Sequence, residues 1–142
     1  MGLTIYLAGA MDKVPPEFAI TWRLGAKTAL TEAGHKVYDP TADKDLWNYE
    51  CHTRLYTPGH IVKSDLSMIS KSDIILAEIS RRDIPYHGTS MELVYAKQWQ
   101  KRVYVWGGCK SYWVRYHADK IFETMEDAVS YILYGGDECE NL

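Results

Sequence analysis

The sequence predicts a single-domain α/β fold, with a parallel sheet of about five strands and helices on both faces. Three observations carry that reading. Short, apolar, β-prone runs alternate with longer stretches of helical spacing, and strands alternating with helices make a parallel sheet covered on both sides. The chain has 142 residues, the size of one ordinary domain. Its 46% hydrophobic and 25% charged residues are those of a globular protein, not of a disordered or collagen-like one.

The elements follow in order. Leu3–Ala8 is apolar and ends at Gly9, as a buried first strand does. From Pro16 to Ala33 the spacing of Trp22, Ala26, Ala29 and Leu30 is helical. Pro15 and Pro16 suit its first turn, and Gly34 its stop. His35–Asp39 reads as a second strand, halted by Pro40. The stretch from Pro40 to Gly59 is polar and aromatic without a period. Loops beyond about 12–15 residues usually have a function, which makes this one a candidate lid. Ile61–Ser70 is expected to be a helix, Asp73–Ile79 a third strand, and Ser80–His87 a polar loop. A helix begins at Gly88 and reaches about Gln100; Val103–Trp106 is a fourth strand, stopped by Gly107 and Gly108. Tyr112–Tyr116 reads as a fifth strand or an extended segment. Met125–Leu133 has helical spacing, with Thr124 as N-cap and Asp127 as its capping-box partner. The domain is set at residues 1–134, with an acidic, frayed tail at 135–142. The arrangement is flavodoxin- or Rossmann-like. In such folds ligands bind outside the carboxyl ends of the strands. That edge holds Gly9–Asp12, Asp39–Thr41, Ser80–Gly88 and Gly107-Gly108.

Composition narrows the partners. The net charge of -3, from 16 basic and 19 acidic side chains, argues against a nucleic-acid polymer. No apolar run approaches the ~18 residues of a membrane span. Met1-Gly2-Leu3-Thr4 has no basic n-region, no cleavage site follows, and the myristoylation pattern fails. Cys51, Cys109 and Cys139 lie far apart and are odd in number. They predict free thiols in a reducing cytoplasm and no disulfide or zinc framework. The histidines show no ligand pairing, so no metal is expected. Gly-x-Gly-x-x-Gly, the P-loop and the G-x-S-x-G elbow are absent, so no dinucleotide cofactor, triphosphate or serine-hydrolase site is expected. Aromatic residues make up 13%, with 11 Tyr and 5 Trp against 2 Phe. Tyr and Trp suit surfaces that are half apolar and half wet. They fill a core, stack a flat ligand or meet a partner subunit.

Several residues can carry chemistry. Glu92 lies early in the helix that opens on the ligand edge, as a reacting carboxylate or as a partner of the helix dipole. Gly88, Thr89 and Ser90 offer amides and hydroxyls at the same helix start, for a phosphate, a sugar hydroxyl or a simple cap. Asp65 is polar among apolar helical neighbours, and Asp83 lies in the loop before Glu92. With Glu92 they form the carboxylate pairs that glycosyl transfer needs, one nucleophile and one proton donor. Tyr6 sits in the first strand, and Gly9 allows the turn after it.

Five segments together carry a resemblance. They are Ile5–Met11, Val37–Pro40, Ser64–Ile69, Ser72–Ala77 and, most specifically, the Gly-Thr-x-x-Glu-Leu-x-x-Ala block from Gly88 to Ala96. The chain resembles the nucleoside 2-deoxyribosyltransferase family and its 2'-deoxynucleotide N-glycosidase relatives over about residues 3–106. The resemblance implies that Glu92 attacks the anomeric carbon, that the base leaves, and that a second base or water collects the sugar with retention. It implies that Tyr6 orients Glu92, that Asp65 lies near base or sugar, and that a loop aspartate, here Asp83, helps protonate the base. Gly9 and Met11 belong to the implied substrate site. Trp22, Trp47, Tyr49 and Tyr86 supply candidate stacking surfaces, and Thr89-Ser90 a candidate seat for a 5'-phosphate. The implied partners are a deoxynucleoside or deoxynucleotide and a nucleobase, with a homo-oligomer as the assembly. Family transferases often complete the site with a polar residue from a neighbouring subunit; the corresponding region, Ser111–His117, is aromatic here and offers no equivalent. The activities in view are base exchange, hydrolysis of a deoxynucleoside 5'-monophosphate, and binding without catalysis.

Overall fold

A computed structural model of the chain describes residues 2–42, 44, 46 and 57–135. Its strands are β1 (Thr4–Ala8), β2 (Lys36–Tyr38), β3 (Ile74–Glu78), β4 (Arg102–Trp106) and β5 (Lys120–Phe122). Its helices are α1 (Pro16–Glu32), α2 (Pro58–Ser70), α3 (His87–Gln98), α4 (Tyr112–His117) and α5 (Met125–Tyr134). All strand pairs are parallel, in the order β2-β1-β3-β4-β5. The sheet is the predicted one. Its order reverses between β1 and β3, the switch point where ligands bind in open α/β sheets.

Side-chain alternation divides the core. Tyr6, Ala8, Ile75, Ala77, Val103 and Val105 face one way, toward Ile69 of α2, Leu93 and Ala96 of α3 and Val114 of α4. Ile5, Leu7, Ile74, Leu76 and Tyr104 face the other, toward Trp22, Ala26 and Leu30 of α1 and Ala128 and Val129 of α5. β3 is buried along its whole length, as a central parallel strand must be.

The helix ends follow local chemistry. Pro15 and Pro16 open α1. Gly34, at φ 93, closes it, with the His35 amide on the Leu30 carbonyl at 3.0 Å. Thr57 caps α2 by accepting from the His60 amide, and Thr124 caps α5 by accepting from the Asp127 amide at 3.1 Å.

One element departs from expectation. Tyr112–Tyr116, read as strand or extended, is helix α4, and the fifth strand is Lys120–Phe122. The aromatic run has β propensity, but only Val114 of α4 turns into the core. Local propensity yields to that packing. Most of the candidate lid, with Trp47 and Tyr49, lies outside the described residues, as does the acidic tail beyond Gly135. No helix among the described residues is long and apolar enough to cross a membrane.

Candidate active site

A cleft of about 380 Å³ opens at the switch point. The turn after β1 (Gly9–Lys13) forms one wall, Ile61–Leu66 of α2 another, and Ile84–Glu92 a third. The size fits a small organic ligand, and the walls are mainly apolar with a few polar groups.

Helical spacing delivers those polar groups. On α3, Thr89, Leu93 and Ala96 form the buried row. Glu92 stands one residue before Leu93, on the flank of that row, and is half-buried in the cleft wall. On α2, Asp65 lies four residues from both Ile61 and Ile69 and is buried with Ile69. Its row therefore faces inward, and Asp65 reaches the same cleft. Tyr6 projects from β1 beneath them, and its hydroxyl donates to Glu92 Oε2 at 2.5 Å. The structure thus joins Tyr6, Asp65 and Glu92 at one point.

Burial sets the electrostatics. It pushes the Glu92 carboxyl up to about 8; the Tyr6 hydrogen bond opposes this, Asp65 adds to it, and the charge of Arg23 counteracts it. Burial, then the charges of Glu92 and Asp65, hold the Tyr6 phenol well above its ordinary range. Tyr6 therefore stays a donor, and Glu92 is poised to exchange a proton near neutrality.

Gly9, Met11, Gly88, Thr89 and Tyr86 also line the cleft. Gly9 is glycine for want of space. A Cβ there would meet the Trp22 ring at 3.0 Å, Arg23 Nη2 at 3.2 Å and Glu78 Cβ at 3.2 Å.

Three expected residues lie elsewhere. Trp22 belongs to the α1 face of the sheet, where it meets Trp106 edge-on at 5.5 Å and carries the Arg23 guanidinium over its ring; it is core, not a stacking platform. Ser90 follows Thr89 by one helical step, which turns it out to solvent. Asp83 is exposed, and Arg81 Nε, 3.4 Å away, holds its carboxyl below the usual range. Ile84, Pro85 and Tyr86 form the wall in its place. Trp47 lies outside the described residues.

Two residues were missed. Arg23 is fully buried and ties down the end of β1: Nη2 donates to the Gly9 carbonyl at 2.9 Å and Nε to that of Leu7 at 3.4 Å. Its signal was an arginine four residues after Ala19, within the apolar row of α1. Glu78 is a fully buried carboxylate at the end of β3. An acid closing an apolar strand was its only signal. Among the described residues no His, Cys, Asp and Glu group could hold a metal ion.

Comparison with known proteins places the fold. The chain is similar to a 2-deoxyribosyltransferase from Bacillus psychrosaccharolyticus at 22% identity and a TM-score of 0.65, over 90% of this chain and 91% of that one. It is similar to a 2-deoxyribosyltransferase from Leishmania mexicana at 18% identity and a TM-score of 0.69, over 94% and 99%. The chain has the 2-deoxyribosyltransferase fold. A CMP N-glycosidase from Clostridium botulinum shares it at 16% identity and a TM-score of 0.59, over 91% and 97%. No protein-family model and no curated protein matches the sequence. Transferase and glycosidase chemistries thus both occur on this deoxyribosyltransferase fold.

Proposed function

We propose that this protein is a nucleoside 2-deoxyribosyltransferase in which Glu92 is the nucleophile. The carrying observation is the Tyr6 hydroxyl on Glu92 Oε2 at 2.5 Å, beside Asp65 in the switch-point cleft. Glu92 attacks the anomeric carbon as its carboxylate. The C–N bond breaks, its electron pair leaves with the base, and a glycosyl ester forms. The proton Glu92 gave up on ionising matches the one the departing base takes, and Asp65 is the second carboxyl placed to carry it. An incoming base then attacks the ester, Glu92 departs as carboxylate, and two inversions give retention. No cofactor enters this scheme.

The first reading rests on the likeness to 2-deoxyribosyltransferases. The cleft's charge is mixed: Asp12 and Asp65 line it with Lys13, His87 and the largely protonated Glu92, and the Lys44 charge acts on Glu92. Thr89, buried at the α3 N-terminus and lining the cleft, favours the second reading, a deoxynucleoside 5'-monophosphate N-glycosidase that uses water. In either case the partners are small molecules, and a second copy of the chain is the expected assembly.

One experiment separates the readings. Purified protein is incubated with a 2'-deoxynucleoside plus an acceptor base, and separately with a deoxynucleoside 5'-monophosphate. Exchanged nucleoside is the expected product. Free base from the monophosphate without exchange selects the hydrolase. Glu92→Ala should lower turnover by at least about 1,000-fold, as loss of a covalent nucleophile does. Ligand binding with no cleavage of any nucleoside or nucleotide by the wild type would leave a binding module.

A further inference from the structure

Glu78 has no part in the chemistry above, yet it is built into the cleft wall from behind. It follows Leu76 by two residues along β3, which starts its side chain on the α1 side of the sheet, and it is fully buried. Its Oε2 accepts from the Ser80 amide at 2.8 Å, from Ser80 Oγ at 2.7 Å and from the Tyr86 hydroxyl. The Tyr86 oxygen in turn accepts from the amides of Ser80, at 3.3 Å, and Arg81, at 3.1 Å. One carboxylate oxygen and one phenol thereby tie both ends of the 80–86 loop together. Glu78 Oε1 is buried with no hydrogen-bond partner.

The loop is also pinned at its base. The Ile79 amide donates to the Trp106 carbonyl at 3.0 Å. Gly107, at φ +116, passes so close that a Cβ would lie 2.5 Å from Ile79 O. At the other end Tyr86 is left-handed, with φ 52 and ψ 41, as the residue that precedes α3. A non-glycine residue holds that conformation only where its surroundings over-determine it. Here the phenol's bond to Glu78 does so. Tyr86 lines the cleft, and its hydroxyl is engaged, so the ligand meets its ring and not its proton.

We propose that Glu78 is a positioning residue that acts through Tyr86: it fixes the tyrosine ring as a flat wall for a nucleobase and sets the first turn of α3, without touching the ligand. The kinetic part rests on the deoxynucleoside reading of the cleft; the structural part does not.

The test combines kinetics with amide exchange in Tyr86→Phe, Glu78→Ala and the double variant. Each single change should raise KM for a 2'-deoxynucleoside about tenfold, by more than it lowers kcat, and the double should equal Glu78→Ala alone because the carboxylate acts on the ring through the Tyr86 hydroxyl. Glu78→Gln, which keeps an acceptor oxygen, should restore most of the loss seen in Glu78→Ala. In the free protein, Tyr86→Phe should speed exchange at Arg81 at least about tenfold while Ser80, which keeps its bond to Glu78, and the β1 and β4 amides hold. If Glu78→Ala does not fold, Tyr86→Phe and Glu78→Gln still decide. Multiplying KM effects, unchanged exchange at Arg81 in Tyr86→Phe, or a mere loss of active fraction at constant KM would overturn the proposal. If the wild type turns over no nucleoside, the functional reading falls. The exchange data then judge the lock, and titration calorimetry with 2'-deoxyadenosine replaces KM.

Discussion

Glu92 carries two opposite demands. A nucleophile must be ionised, and burial holds this carboxyl up at about 8. If the ionised form of the free enzyme reacts, kcat/KM should rise about tenfold per pH unit below that value and level off above it. Its neighbours then move the inflection in opposite directions. The Tyr6 hydrogen bond lowers the Glu92 value and the Asp65 charge raises it, so Tyr6→Phe should shift the profile to higher pH and Asp65→Asn to lower pH. Profiles that move together, or not at all, would sever Tyr6 and Asp65 from Glu92. Stability follows with the sign worked out. The folded value, about 8, exceeds the ordinary 4.5, so between them the folded state binds more protons than the unfolded one. Stability therefore falls as pH rises through that window. Glu92→Gln cannot titrate. Its Tm should exceed that of the wild type by more at about pH 8 than at about pH 5, in melts at both values.

Elements were legible where one period dominated. β1, β3 and β4 are apolar runs with clear stops, and α1 and α5 have well-spaced apolar rows, so their positions and order could be read from the chain. Placement about the sheet was less legible. Sequence puts Trp22 on α1, but only three-dimensional packing decides which face of the sheet α1 covers, and so whether Trp22 meets ligand or core. Ser90 and Thr89 are neighbours in sequence and a third of a turn apart in space. Tyr6 and Glu92 stand out through the resemblance carried by Ile5–Met11 and Gly88–Ala96, whereas Asp83 stands out only by nearness in the chain, which a solvent-facing loop does not respect. Arg23 and Glu78 were hidden because charge in an apolar row reads as a boundary, not as an anchor. Arg23 gives the check. Its guanidinium holds the carbonyls of Leu7 and Gly9 and lies 3.9 Å from Asp39. Arg23→Met should cost about 3 kcal/mol of unfolding free energy in denaturant titrations, since it takes a fully buried guanidinium from the Leu7 and Gly9 carbonyls and from the partly buried Asp39 carboxylate. It should also raise the Glu92 value further, because the Arg23 charge opposes the shift.

At the scale of the whole molecule, the described residues include an exposed aromatic patch. Tyr112, Trp113 and Tyr116 of α4 are 82%, 77% and 69% exposed, and Trp99 at the end of α3 is 40% exposed. Cations and rings tie the patch together: Lys97 Nζ lies 4.5 Å from the centre of the Tyr116 ring, and Trp113 stacks on His117. The patch extends along α3 to Tyr95, Met91 and Val62 of α2, which are exposed and line the cleft mouth. Clusters of exposed Tyr and Trp of this kind mark interaction surfaces. A stable interface needs about 1,200–2,000 Å² in total, or roughly 800 Å² from each partner. A surface shared by α3 and α4 and continuous with the mouth would make the second copy part of the cleft's rim. Sedimentation velocity at micromolar concentration should therefore give a dimer or larger. Trp113→Ser with Tyr116→Ser should give a monomer whose melting is unchanged at high dilution, because these side chains contribute little to the monomer's own core. Its KM for nucleoside should rise while the Tyr6–Glu92 pH profile stays in place, since the rim is lost and the reacting pair is not. A wild type that sediments as a clean monomer would assign the aromatic surplus of α4 to some other partner and leave the cleft complete within one chain.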